Sequence, residues 1–279
     1  MLSTLLPSSL VTSTNMNLVD IVVNRRPTAN RSFDQIYMMA GDMLKQVELM
    51  QDYLYDRDII FLGDGDGMSM LFGLFATREI IQSPKSISVL DFDERIINNA
   101  LNFSKECNFN IKFYCNKYNV IQRVPKKYMN KYNFFYINPP YGSKNSGMSC
   151  EAWLHRCMDL CKVESSGCII IPYDPEKKWT IDAMLNIQTF LLAYGFVIRD
   201  MVSFIHSYHL HDNPHLRSAT IIVDRVIPKT SEFTSQELPA DFVKYLYGST
   251  RPIPKYIDDD GSINGNPNYK WKYGRKHWE

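Results

Sequence analysis

Asp58-Ile59-Ile60-Phe61-Leu62-Gly63-Asp64-Gly65-Asp66-Gly67 decides the fold. The first five residues are a short, mostly apolar run stopped by a glycine, which reads as a buried strand. Gly63 to Gly67 form a turn, because alternating glycines let the backbone bend and pass close to a ligand. The apolar run Ser69 to Ile81 is too long for a strand and predicts a helix. Strand, glycine turn and helix in that order open a doubly wound α/β sheet.

The same alternation continues outward. Upstream, Ile36, Met39, Met43, Val47, Met50 and Leu54 have helical spacing and predict a helix over 34–55. Downstream, strands are expected at 86–90, 111–115, 132–137 and 167–172. Helices are expected between them at 94–107 and 151–163. A further helix at 180–194 is closed by Gly195. Two later strands, 196–205 and 218–226, can pair antiparallel at the sheet edge. The expected architecture is therefore a Rossmann-like, mostly parallel sheet with an antiparallel edge strand. Residues 1–30 read as an irregular arm and 31–227 as the catalytic domain. Residues 228–279 read as a partly irregular extension with one helix near 239–247.

The 279 residues carry a net charge of +1, too little for a surface built to coat phosphates. Six cysteines without a Cys-x-x-Cys pair read as reduced thiols, which places the chain in the cytoplasm. Cys157 and Cys161, four apart, are taken as buried small side chains rather than a metal pair. No metal is expected. No apolar run of membrane-spanning length occurs, and the first fifteen residues lack a basic signal-peptide start.

In such a sheet, ligands bind beyond the carboxyl ends of the strands. The chain puts its unusual residues there. Gly63, Asp64, Gly65, Asp66 and Gly67 follow the first strand. Asp91 ends the second, where an acid binds ribose hydroxyls. Asn116 follows the third, where an amide can meet an adenine edge. Together they predict a nucleoside rim. The third glycine of the dinucleotide fingerprint is missing, since Met68-Ser69-Met70 follow Gly67, and no Gly-Lys-Ser/Thr occurs. Both facts count against NAD and against a P-loop. Asn138-Pro139-Pro140-Tyr141 follows the fourth strand. The prolines fix φ and remove two backbone donors, so carbonyls and the Asn138 oxygen can accept from a target amine. Tyr141 offers a ring for stacking.

The glycine loop resembles that of class I S-adenosylmethionine-dependent methyltransferases and of their aminopropyltransferase relatives. Phe61 stands where the methyltransferases usually carry an acid. The turn resembles the (Asn/Asp/Ser)-Pro-Pro-(Tyr/Phe/Trp) motif of amino methyltransferases, which act on exocyclic amines of adenine or cytosine. Asp34-Gln35 resembles an element that approaches the cofactor in several adenine methyltransferases. A longer resemblance, over residues 25–225, is to the branched-chain polyamine synthases. It rests on Arg26-Pro27-Thr28, Asp34-Gln35, Gly63 to Asp66, Asp91 to Arg95, the Pro-Pro turn, and Trp179 to Tyr208. Those enzymes add aminopropyl groups from decarboxylated S-adenosylmethionine to spermidine. Their turn begins with Asp and continues with Glu, where this chain has Asn138 and Tyr141.

That difference sets the order of expectations. A polyamine nitrogen is protonated at neutral pH and needs a carboxylate, whereas an aromatic amine is neutral and an amide suffices. The leading expectation is therefore S-adenosylmethionine-dependent methylation of an exocyclic amine, with nucleic acid as the substrate partner. Aminopropyl transfer is the alternative, and a non-catalytic binding module is a third. A protein partner for target recognition and a homodimer are left open. His206, His209, His211 and His215 read as a substrate-facing loop or ordinary surface. The basic and aromatic tail 269–278 is a candidate nucleic-acid contact.

Overall fold

A computed structural model describes residues 10–30, 33–210, 213 and 215–247. Five strands alternate with helices as the apolar runs dictate. They are β1 (Asp58–Leu62), β2 (Ser86–Asp91), β3 (Lys112–Lys117), β4 (Tyr132–Ile137) and β5 (Cys161–Pro172). Two more, β6 (Phe196–Ser207) and β7 (Arg217–Arg225), complete a seven-stranded sheet of order β3-β2-β1-β4-β5-β7-β6. The first five strands are mutually parallel. β7 runs antiparallel between β5 and the edge strand β6. The order reverses at β1, so the crevice between β1 and β4 is the topological switch point.

The helices are α1 (Ser13–Val23), α2 (Ala40–Leu54), α3 (Met68–Thr77), α4 (Glu94–Glu106), α5 (Met148–Leu160), α6 (Lys178–Ala193) and the single turn α7 (Ala240–Val243). Strand residues alternate between two cores, as the pleat requires. Phe61, Phe134 and Tyr136 face α1 to α4. Leu62, Phe135 and Ile137 face α5, α6 and the segment 233–247.

Three expectations need correction. The arm expected over 1–30 contains α1. Thr12 caps it by accepting from the Asn15 amide, and Val19 and Val22 are buried in the core. The helix expected from residue 34 begins only at Ala40. Residues 34–39 are claimed elsewhere. The Met38 amide donates to Asp66, Met39 donates to Ser207, and Met38 bridges to Tyr208. The extension near residue 239 is helical for one turn only. It is pinned instead by Arg156, buried within α5, whose guanidinium donates to the carbonyls of Val120, Ile121, Phe233 and Gln236. The tail 269–278 lies outside the described residues. Among the described residues, no helix is long and apolar enough to cross a membrane.

Candidate active site

The carboxyl ends of β1, β2 and β4 open into a cavity of about 720 Å³, counting its mouth. Glycine geometry builds the first wall. Gly63 and Gly67 have φ of +79° and +72°, which a side chain resists. A Cβ on Gly65 would stand 3.1 Å from the Tyr37 ring. The chain can therefore turn tightly and still bring Asp64 and Asp66 to the cavity.

Three aspartates organise this wall. Asp91 accepts from the Asp64 amide at 3.0 Å and the Asp93 amide at 2.8 Å, tying the ends of β1 and β2 together. Asp64 accepts from the Ser69 amide and hydroxyl at the start of α3. Asp66 accepts from the Met38 amide and from Asn138 Nδ2, each at 2.6 Å. Burial pushes Asp64 up to about 8, against the opposing Ser69 bonds. It pushes Asp91 up to about 7, against the Asp93 and Asp64 amides. Behind them, burial disfavours the Asp93 carboxylate, but bonds from Arg95 and Gln35 outweigh it and hold its pKa low. Arg26 donates to the Asp66 and Met38 carbonyls, bracing the loop from outside the cavity lining.

The second wall is the Asn138-Pro139-Pro140-Tyr141 turn at the end of β4. Tyr141 is buried, with its hydroxyl against that of Tyr208 and the two rings edge to face. Tyr208 reaches Ser218 Oγ at 2.6 Å. Ser218 meets His206 Nδ1 at 2.8 Å, and His206 Nε2 meets Gln46 Oε1 at 2.8 Å. An uncharged chain of hydrogen bonds thus runs from the turn into the core. Burial lowers His206 to about 3, so its imidazole is neutral.

Of the residues expected from sequence, Asp34, Gln35, Gly63, Asp64, Gly65, Asp66, Asp91, Asn138, Pro139, Pro140 and Tyr141 line one cavity. Gly67 does not. It caps α3, where a Cβ would press on Met70 and Val22. Asn116 is also absent from the lining, because β3 runs on to Lys117 and Asn116 pairs with Leu90 inside the sheet. His206 is buried in the core rather than surface-facing, and His211 lies outside the described residues. Sequence reasoning missed Phe33, Tyr37, Phe92, Tyr136, Trp153 and Tyr208, whose rings complete the lining. Trp153 is oriented by donating to the Leu62 carbonyl at 3.0 Å. Isolated aromatics look like ordinary core until the fold converges them.

The chemistry of this lining fits a cationic nucleoside. Four aspartates and no Lys, Arg or His line the cavity among the described residues. Carboxylates suit a sulfonium or ammonium, the Asp91 position suits ribose hydroxyls, and Phe92 and Trp153 provide faces for a base. Among the described residues, no group of three His, Cys, Asp or Glu could hold a metal.

Comparison with known proteins gives an independent line. The family described as the branched-chain polyamine synthase A C-terminal domain matches residues 15–260. The N(4)-bis(aminopropyl)spermidine synthase of Thermococcus kodakarensis is 26% identical over 194 residues, covering 67% of this chain and 50% of that enzyme. The Thermus thermophilus branched-chain polyamine synthase, solved with N4-aminopropylspermidine and 5'-methylthioadenosine, superposes with a TM-score of 0.67 at 19% identity. The match covers 85% of this chain and 70% of that one. A Pyrococcus horikoshii protein regarded as an RNA methyltransferase gives a TM-score of 0.55 at 13% identity, over 77% of this chain and all of that one. These likenesses establish the shared fold. The chain spans about half the length of the curated relatives it matches.

Proposed function

The chain belongs to the family of the branched-chain polyamine synthase A C-terminal domain, and on that premise we propose that it transfers aminopropyl groups from decarboxylated S-adenosylmethionine to a polyamine amine. One observation carries the reading: the cavity is lined by Asp34, Asp64, Asp66 and Asp91, with no basic residue among those described. A decarboxylated cofactor presents a sulfonium and an ammonium, and a polyamine presents further ammoniums. Ordinary S-adenosylmethionine adds a carboxylate, for which this lining offers no cation.

The contact between Asp66 and Asn138 reverses the order expected from sequence. Asn138 alone cannot deprotonate an alkylammonium, which favoured methylation of a neutral amine. Asp66, from the glycine loop, stands 2.6 Å from the Asn138 amide. The carboxylate that family members carry on the turn is thus supplied from the opposite wall. When bound, the cofactor would supply an electrophilic carbon beside its sulfonium sulfur, with methylthioadenosine leaving on the electron pair of the broken carbon–sulfur bond. Asp66 takes the proton that must leave the acceptor nitrogen before its lone pair can attack. Asn138 and the Met38 amide fix the orientation of that carboxylate. Asp64 and Asp91, ionising as a cation binds, stabilise it in the cavity, and the aromatic lining limits water.

A second reading, methylation of an exocyclic amine with S-adenosylmethionine, is favoured by the Asn-Pro-Pro-Tyr turn. It is opposed by the aspartates, which repel a phosphate backbone. Calorimetric titration of the full chain with both cofactor forms separates the two. Incubation with spermidine or adenine-containing oligonucleotides, read by mass spectrometry, completes the test. Tighter binding of the decarboxylated form and an aminopropyl increment on spermidine are expected. Tighter binding of S-adenosylmethionine, with a methyl group on adenine, would sink the proposal.

A further inference from the structure

Tyr136 is the penultimate residue of β4, two before Asn138. Its ring packs on Phe61 and Phe72, with centroids 5.0 and 6.4 Å away. It is only 1% exposed, yet it is among the residues that line the cavity. Its hydroxyl has no hydrogen-bond partner among the described residues. The polar groups around it are engaged elsewhere. Cys168 accepts from Gln46, Asp64 holds Ser69, Asp66 holds Met38 and Asn138, and Tyr208 holds Ser218.

An unpaired buried hydroxyl is costly, and a phenylalanine would pack equally well against Phe61 and Phe72. Packing therefore accounts for the ring but not for the oxygen. Burial raises the phenol well above its ordinary pKa, so the group stays neutral and able to accept from a cation. Asp66 and Asp64 are among the charges it feels. A neutral acceptor beside two carboxylates suits an ammonium, which carries three N–H donors pointing in different directions.

We propose that Tyr136 Oη is a ligand-binding group, accepting a hydrogen bond from the terminal ammonium of the aminopropyl chain held beside Asp64 and Asp66. The inference rests on the aminopropyl-transfer reading and adds to it a residue that discriminates the charged chain from the bare nucleoside.

The test is calorimetry on the full chain and its Tyr136→Phe variant, with decarboxylated S-adenosylmethionine and with methylthioadenosine, which has no ammonium. Thermal melting without ligand reports on folding. The variant should bind the decarboxylated cofactor about tenfold or more weakly, the scale of a hydrogen bond to a charged group. Its affinity for methylthioadenosine should stay within about twofold, and its melting point should hold or rise, because the unpaired hydroxyl is gone. Equal losses for both ligands, or no loss, would overturn the inference. Phe72→Leu disturbs the same ring stack without touching the oxygen. If it shifts the ratio of the two affinities as far as Tyr136→Phe does, packing is the cause and the inference falls. If the unaltered chain fails to bind the decarboxylated cofactor, the parent reading fails first, and that outcome is visible before any variant is made.

Discussion

The glycine-loop wall of the cavity carries Asp64 and Asp66, with Asp91 beside them, while the turn wall carries Asn138, Tyr141 and Tyr208. The first wall is made of ionisable groups whose partners are mostly backbone amides and one hydroxyl. The second is made of groups uncharged at neutral pH, linked into the core through Ser218, His206 and Gln46. Ionisable groups are thus concentrated on one side and neutral, orienting groups on the other. Asn138 on the turn wall donates to Asp66 on the other, joining the two. The difference teaches that the amide at the head of the turn need not act alone, because it is bonded to a carboxylate from the facing wall.

Replacing Asp66 should therefore do the most damage. Asp66→Asn keeps the size of the side chain but removes the carboxylate proposed to accept the proton. Transfer to a polyamine should fall by about 100-fold or more, within the range of general-base losses. Steady-state rates at saturating cofactor measure it. A variant retaining more than a tenth of the activity would move the acid–base role off this wall.

Titration of the acidic wall should give the next largest effect. Without a cation, Asp64 and Asp91 keep their protons up to about pH 8 and 7 because burial disfavours their ionised forms. A bound cation favours the carboxylates, so binding releases protons. Affinity should rise with pH by about tenfold per unit for each proton released, and level off above pH 8. The sign for stability is the opposite. Folded pKa values raised above the unfolded value of 3.8 mean that the folded state binds more protons between about pH 4 and 8. These two groups therefore stabilise the ligand-free fold least at high pH, and its melting point should fall as pH rises through that window. Affinity that is flat between pH 6 and 8 would show that neither carboxylate faces the ligand's charge.

Asn138→Ala asks the converse question. If Asn138 only orients Asp66, activity should drop about tenfold and the variant should still bind cofactor. A loss larger than that of Asp66→Asn would return the central role to the turn and to a neutral amine substrate. The two variants assayed side by side thus decide which wall carries the chemistry.

Much of the fold was legible because its signals are local. The run from Asp58 to Leu62 stops at Gly63, β4 stops at Asn138, and Gly195 closes α6, each a decision made within a few residues. What stayed hidden depends on distance along the chain. The Asp66–Asn138 contact joins residues 72 apart, so no spacing rule could reveal it. The segment before Ala40 has helical periodicity, yet Asp66 and the end of β6 capture its amides. Asn116 was misplaced by a strand end that ran two residues longer than its apolar pattern. His206 looked like part of a surface cluster. It is buried because it pairs with Ser218 on the face of the sheet that α2 covers, which sets its ring against Gln46 and Ser218.

That buried network offers the smallest and last test of the contrast between the walls. Ser218 Oγ serves both Tyr208 and His206. Ser218→Ala leaves a fully buried imidazole nitrogen without its partner, which should cost about 1–3 kcal/mol of stability. Denaturant unfolding measures that. Its effect on transfer should be only a few-fold, because Tyr208 and Tyr141 stay packed edge to face and lose orientation rather than charge. The pH profile should not move either, since His206 is already neutral far above its lowered pKa of about 3. A new ionisation near neutrality in the Ser218→Ala profile would mean that the turn wall also handles protons, and the division of labour between the walls would have to be abandoned.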